Sequence, residues 1–137
     1  MMAQTLCEKI IARHCGRDHV APGDYVAPIS YSFKGFNVAA SMEARLKALG
    51  LAGPARPEKC IINCDHNVPP QNEDDVQLLK KVQEAATRLG ITKVYVREGL
   101  GHVVNVEKGD LRPGVAFVHM DPQATNAGGV GAFYTNG

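Results

Sequence analysis

The chain has 137 residues, 45% of them hydrophobic, and its 15 basic side chains nearly balance 14 acidic ones for a formal net charge of +1. A chain of this size and composition can bury roughly two thirds of its unfolded surface, which excludes disorder for most of it. The balanced charge gives no reason to expect binding to nucleic acid or to a membrane surface, and no apolar run approaches the ~18 residues of a membrane span.

The N-terminus and the cysteines indicate a cytoplasmic protein. Residues 1–8 lack the basic start and the apolar run of a secretory signal peptide. The four cysteines do not indicate a disulfide framework, because a chain of this size can be stabilised by its own hydrophobic core. Cys60 and Cys64 would lie about 13 Å apart along one strand, too far for a disulfide or a shared metal ion. We therefore expect reduced thiols, mostly buried.

Helix and turn signals open the chain. A capping box at Thr5 and Glu8 predicts the start of a helix, and Gly16 predicts its end. The Pro22-Gly23 turn that follows is predicted to lead into a short strand through Val26.

The next segment gives weaker signals. Residues 31–36 are mixed and contain Gly35, which predicts a loop or an edge strand. Ser41 can cap a helix that runs to Leu49, and Gly50 closes it.

Strands and helices alternate more clearly in the second half. Strands are predicted over residues 59–64, 93–97 and 115–120, and a helix over 73–89, where apolar residues recur at helical spacing. The glycine-rich stretch 126–131 is predicted to be a loop. This alternation is typical of an α/β fold with a largely parallel sheet.

Four polar residues follow these predicted strands, at the ends where parallel sheets collect their chemistry. Asp65 and His66 could be an acid–base pair, although neighbours in sequence cannot easily bond to each other; loop capping by Asp65 is the alternative. His102 lies beside glycines that would let a ligand approach, but a structural loop histidine is equally compatible. We expect the side chains of Asp65, His66, His102 and Asp121 to converge on one edge of the sheet.

Other motifs are less specific. The stretch 126–131 resembles an anion-binding turn, but it matches neither the dinucleotide fingerprint nor the Walker pattern. His14 and His119 are interpreted as core or interface histidines, and the acids of residues 73–75 as a helix N-terminus.

Seven short segments occur in one order along nearly the whole chain. They are residues 5–10 (TLCEKI), 22–26 (PGDYV), 64–69 (CDHNVP), 98–104 (EGLGHVV), 107–109 (EKG), 112–114 (RPG) and 129–133 (GVGAF). In order and spacing they resemble the first domain of the aconitase superfamily, closest to the large subunits of 3-isopropylmalate dehydratase and homoaconitase. The resemblance implies one three-layer α/β/α domain over residues 1–137, without the later domains that carry the cluster cysteines.

The resemblance also implies a function. Enzymes of this superfamily reversibly dehydrate or isomerise hydroxy di- or tricarboxylates such as isopropylmalate, homocitrate or citrate, with a [4Fe-4S] cluster whose open iron acts as a Lewis acid. Asp65 and His66 match the Asp-His pair that handles the leaving hydroxyl, and His102 matches a histidine of the same relay. Asp121 matches the first residue of the family's Asp-Ser-His-Thr loop.

Several positions depart from that pattern. Pro122-Gln123-Ala124 replaces Ser-His-Thr, and a glutamine can hydrogen-bond but cannot shuttle a proton. Gln123 and Asn126 are therefore candidates for substrate binding only. Phe36-Asn37 stands where the family usually has His-Asp. None of the four cysteines matches a cluster ligand, so we expect no cofactor held by this chain.

These observations leave three hypotheses open. The first is a domain of an aconitase-type hydro-lyase, inactive alone and active when a companion chain supplies the cluster cysteines. The second is a non-catalytic relative that binds a small carboxylate or a partner protein. The third is a cluster-free lyase that holds a divalent metal with Asp65, His66 and His102.

The end of the chain suggests an interface. The chain stops just after the glycine-rich stretch, where the superfamily continues into a helix, so we expect one face of the sheet to be bare. An exposed apolar patch over residues 115–133 would then favour self-association or docking on a partner. The alternative is that Phe133 and Tyr134 fold back and cover the strand themselves.

Overall fold

A five-stranded parallel sheet forms the centre of the structure. The structure is a computed structural model that describes residues 3–28, 31–119 and 121–136, with the backbone alone for 31–40 and 136. The strands are β1 (Tyr31–Gly35), β2 (Cys60–Cys64), β3 (Lys93–Val96), β4 (Ala116–His119) and β5 (Phe133–Asn136). They lie in the order β3-β2-β1-β4-β5, and every neighbouring pair is parallel.

Helices and two 3₁₀ segments connect the strands. They are α1 (Leu6–Cys15), α2 (Phe36–Ala48), α3 (Glu73–Arg88) and α4 (Gly101–Glu107), with 3₁₀ turns over Pro57–Lys59 and Pro122–Val130. The predicted capping box of α1 is confirmed: the Thr5 side chain accepts from the Glu8 amide, and Glu8 reaches back to the Thr5 amide. In the described part of the chain, no helix has the length and apolarity needed to cross a membrane.

The sheet buries both of its faces. On one face, Cys60, Ile62 and Cys64 of β2 pack with residues of α2 and α3. On the other, Ile61 and Phe117 pack with apolar residues of the segments that flank β4. A strand buried on two faces needs apolar residues at successive positions, which explains the continuous run in β2. The predicted three-layer α/β/α architecture is confirmed.

The first strand lies where the sequence did not predict it. Residues 31–36 were expected to be a loop or an edge strand, but β1 is the central strand, with Ser32 opposite Cys60 and also opposite Val118. Its place is set by two neighbouring strands that lie far away in sequence. Helix α2 also begins at Phe36, so the predicted cap Ser41 lies inside the helix.

Three other local predictions are wrong. No strand forms through Val26, although the predicted turn before it is present and is closed by Asp24, whose Oδ2 accepts from the Ala21 amide at 2.9 Å. His102, for which a loop position was expected, lies in α4, which begins at Gly101, and the glycine-rich stretch expected to be a loop lies in a 3₁₀ segment. The strand predicted over residues 115–120 corresponds to β4, and its last predicted residue, Met120, lies outside the described residues.

The expected bare apolar patch over residues 115–133 is also wrong. Val115, Phe117 and Ala132 are buried, and β5 pairs alongside β4. The ring of Tyr134 lies 5.3 Å from that of Phe117, and its hydroxyl donates to the backbone oxygen of Asp121 at 3.2 Å. The chain after Gly131 therefore covers this part of the core itself.

We expect Tyr134→Ala to lower the free energy of unfolding by about 2 kcal/mol, because it removes a ring that lies tilted against Phe117 and a hydroxyl bonded to the backbone. Tyr25→Ala is the matched control, since Tyr25 is 97% exposed, and its effect should stay within about 0.5 kcal/mol. Urea unfolding measures both. Equal effects of the two variants would contradict the packing of β5.

Candidate active site

The four polar residues predicted to converge lie on one edge of the sheet. Asp65 and His66 directly follow β2, His102 is the second residue of α4 after β3, and Asp121 follows β4 and caps the 3₁₀ segment. The strand order changes direction between β1 and β4. Open parallel sheets bind ligands beside such a switch, outside the carboxyl ends of the strands. The expected convergence is confirmed.

Asp65 is the buried anchor of this edge. Its Oδ1 accepts a hydrogen bond from Nδ1 of His66 at 2.8 Å, and its Oδ2 accepts from the Gly101 amide at 2.7 Å. The Asp65 side chain is 9% exposed and the His66 side chain is 68% exposed. The expectation that the two neighbours would not bond to each other is wrong. The left-handed backbone of Asn67, at φ 52°, turns the chain just after the pair.

Gly101 must be a glycine because of its surroundings. A Cβ at this position would lie 2.7 Å from Cβ of Asn63 and 2.9 Å from Oδ2 of Asp65. Only a residue without a side chain lets the first turn of α4 come close enough for its amide to reach the carboxylate. The next residue is His102, so this contact also places the second histidine.

His102 faces the second carboxylate. Its Nδ1 is buried, makes no hydrogen bond within the described residues and lies 3.5 Å from Oδ2 of Asp121, longer than an ordinary hydrogen bond. Asp121 is held from two sides: its Oδ1 accepts from the Gln123 amide at 3.0 Å, and its own amide donates to Nδ1 of His119 at 2.7 Å. His119 is buried, as predicted.

The two predicted substrate-binding amides lie in different settings. Asn126 donates from Nδ2 to the backbone oxygen of His102 at 3.0 Å, which fixes the start of α4 to the 3₁₀ segment. The side chain of Gln123 is exposed beside Asp121. Their roles toward a substrate remain predictions.

Sequence reasoning missed two residues beside this edge. Asn63 is 2% exposed, and neither polar atom of its amide has a hydrogen-bond partner within the described residues. The sequence offered one signal for Asn63, because it is the single amide side chain in the apolar run before Asp65. A buried amide without a partner costs about 1–3 kcal/mol, so its presence in such a run indicates a special role. Arg97 has a left-handed backbone, at φ 61°, and lines a cleft of about 470 Å³ with Asp65 and Leu100.

The cysteines do not fit an iron–sulfur cluster. Cys60 and Cys64 are buried in β2, Cys7 is exposed, Cys15 is half-buried, and all four are free. Burial, aided by the negative charge of Asp65, raises the pKa of the Cys64 thiol to about 11, whereas a cluster is held by several thiolates together. Among the described residues no three His, Cys, Asp or Glu side chains are grouped to hold a metal. The three-residue metal site considered above is therefore not formed.

We expect Gly101→Ala to destabilise the fold by about 1–3 kcal/mol, because the new methyl group overlaps Asn63 and Asp65. Gly128→Ala is the matched control, since a Cβ there meets no atom within 4 Å. Urea unfolding compares the two. A Gly101→Ala variant as stable as Gly128→Ala would show that α4 does not approach β2 this closely.

We expect a thiol reagent at about pH 8 to modify Cys7 and Cys15 quickly and Cys64 only on unfolding, because a buried thiol with a raised pKa offers little thiolate. Mass spectrometry of the labelled chain gives the sites. Cys64→Ser should leave the fast-labelled count unchanged. Labelling of Cys64 as fast as Cys7 would contradict its inert, buried state.

Comparison with known proteins identifies relatives along nearly the whole chain. No protein-family profile matches it. It is 31% identical over 137 residues to the 3-isopropylmalate dehydratase large subunit of Sulfurihydrogenibium sp. (strain YO3AOP1) and 33% identical over 135 residues to large subunit 1 of that enzyme from Methanopyrus kandleri. It is 35% identical over 134 residues to the homoaconitase large subunit of Thermus thermophilus.

Each of these matches covers 98% of the chain but only 32% of the relative. The chain thus spans about a third of the length of the curated relatives it matches. The matched region includes the strands and strand-end residues described above. The predicted resemblance to the aconitase superfamily is confirmed: over nearly its whole length the chain is a relative of one part of the dehydratase and homoaconitase large subunits.

Proposed function

We propose that the chain supplies acid–base side chains to an aconitase-type hydro-lyase site that acts on hydroxy di- or tricarboxylates. One observation carries the proposal. Asp65 binds His66 through one oxygen and the Gly101 amide through the other, and Gly101 directly precedes His102. Both histidine–carboxylate pairs are thereby held at one edge of the sheet.

His66 is suited to move a proton. An ionised carboxylate only accepts hydrogen bonds, so Nδ1 of His66 carries the proton given to Asp65 and Nε2 carries the lone pair in the neutral ring. Most of the ring is exposed, which leaves Nε2 accessible to a substrate. In a dehydration the leaving hydroxyl departs as water and must receive a proton. The imidazolium form of His66, with a proton on both ring nitrogens, can deliver the Nε2 proton and is left as the neutral ring with its Nδ1 proton still donated to Asp65. Asp65 is the positioning residue.

The second pair would act beside the first. His102 is mostly buried, with Nδ1 facing Asp121, so a positive charge on its ring would be stabilised by that carboxylate. Arg97 lines the adjacent cleft and provides a cation for a substrate carboxylate. Its guanidinium forms no ion pair with the described residues.

The cluster would come from elsewhere. Because the thiols of this chain do not fit its ligand set, we propose that a companion chain provides those cysteines and that this chain is inactive alone. The relatives are named as large subunits, which supports a multi-chain assembly. Four free thiols support a reducing compartment, and we propose the cytoplasm.

A second candidate function is binding without catalysis. Gln123 stands where the superfamily has a proton-shuttling histidine, and the Asn126 side chain is engaged with the His102 backbone. A cleft with Arg97 on one wall could then bind a small carboxylate without turning it over.

A chimera separates the two candidates. We expect replacement of the matching third of the Thermus thermophilus homoaconitase large subunit by this chain to keep hydro-lyase activity on the substrate of that enzyme. His66→Asn and Asp65→Asn should then lower kcat by about 10²–10⁴, the usual contribution of a positioned acid.

His19→Asn is the control, since His19 lies away from the site and lines a different cavity. It should leave kcat unchanged. A folded, cluster-loaded chimera without activity that still binds the carboxylate substrate would overturn the catalytic proposal and favour binding.

A further inference from the structure

A basic pocket lies at the opposite edge of the sheet, where β2 and β4 begin. It encloses about 430 Å³. Its lining comes from the last turn of α1, the segment before β2 and the turn before β4, and consists of Arg13, His14, Arg56, Lys59 and residues 112–115. These segments are distant in sequence, so only the folded chain brings them together.

The pocket concentrates positive charge. Arg13, Arg56, Lys59 and Arg112 line it, and among the described residues no acidic one does. A chain with a net charge of only +1 thus gathers four of its 15 basic residues around one cavity. No helix N-terminus or general basicity accounts for this arrangement.

The protein neutralises little of the charge of the three arginines. The guanidinium of Arg56 lies 3.7 Å from the Glu58 carboxylate, but both side chains are 60% exposed, and such pairs contribute little. Arg112 donates to the uncharged backbone oxygen of Gly109 at 3.2 Å. Neither Arg13 nor Arg112 forms an ion pair with the residues the structure describes.

The walls of the pocket are held in place. Nε2 of His14 lies 3.1 Å from the Gly114 oxygen and 3.2 Å from the Ala116 nitrogen, which ties α1 to the turn before β4. That turn is also bonded to Gly131, whose oxygen accepts from the Gly114 amide at 2.9 Å. A pocket whose backbone is already fixed loses little entropy when a ligand binds.

A helix-capping role explains only part of the cluster. Arg13 lies in the last turn of α1, where a cation stabilises the helix dipole. Lys59 ends the one-turn 3₁₀ segment Pro57–Lys59, and Arg56 and Arg112 lie outside the ends of the α-helices. Their convergence on one cavity points to a ligand.

We propose that this pocket binds a small oxyanion with two or more negative charges, of the phosphate or polycarboxylate class. Guanidinium groups bind both through paired hydrogen bonds, and the concave shape favours a small molecule over an extended surface. The site lies at the amino ends of the strands, opposite Asp65 and His102, and does not depend on the proposed hydro-lyase function.

NMR titration of the chain at constant ionic strength tests the proposal, with inorganic phosphate in one arm and citrate in the other. We expect saturable shifts of the backbone amides of the non-proline residues at 56–59 and 112–115, with a Kd below about 1 mM for at least one anion. The two arms decide between phosphate and polycarboxylate. Shifts at residues 65, 66 and 102 report separately on the candidate active site.

Arg56→Gln and Arg112→Gln should each weaken binding by about tenfold or more, because each removes a charged donor. Arg45→Gln is the control, since Arg45 is exposed on α2 outside the pocket, and it should leave the Kd unchanged. Equal weakening by all three variants, or shifts that do not saturate, would overturn the proposal. So would binding of a polyglutamate peptide alone, with neither small anion bound.

Discussion

The two hydrogen bonds of the Asp65 carboxylate hold the candidate active site together. One joins the end of β2 to the start of α4, and the other orients the neighbouring imidazole. A carboxylate buried this deeply must be hydrogen-bonded, because an unpaired charge in the interior is strongly destabilising. The contact requires Gly101, since any side chain there would collide with Asn63. Structure and proposed chemistry thus depend on one carboxylate and one glycine.

The parallel sheet explains why this edge collects polar groups. Its strands are covered on both faces by apolar clusters, which favours ionisable side chains at its ends. The carboxyl ends carry the two histidine–carboxylate pairs. The amino ends carry the basic pocket instead. The two edges therefore differ in chemistry: one can hold and move protons, whereas the other presents fixed positive charge.

Kinship with the dehydratase and homoaconitase large subunits extends over nearly the whole chain but over about a third of each relative. This similarity is consistent with the Asp65-His66 pair and with His102, which match the superfamily pattern. The change to Pro122-Gln123-Ala124 affects the segment after β4, where Asp121 remains as the cap of the 3₁₀ segment. Residues that match half of the relay expected from the superfamily thus lie together at one edge of the sheet, and their catalytic role stays a prediction. The four thiols do not gather there, since Cys7 is exposed on α1 and Cys60 lies at the start of β2.

Local signals determined much of the fold. The capping box at Thr5, the acidic start and helical spacing of α3, and the apolar run of β2 each reflect interactions between residues close in sequence, and all were readable from it. The strand-end positions of Asp65, His102 and Asp121 followed from the same alternation. Their shared edge followed because parallel strands end on one side.

Tertiary structure decided the rest, because it depends on contacts between distant residues. The mixed segment of β1 becomes the central strand only because β2 and β4 flank it, and β5 forms only against β4. The bond between Asp65 and Gly101 spans 36 positions, and the pocket joins Arg13 to Arg112. No local pattern records such distances, so the sequence by itself determined the chemical groups and the elements with strong local signals. The packing of the sheet decided the remaining strands and which of the groups meet.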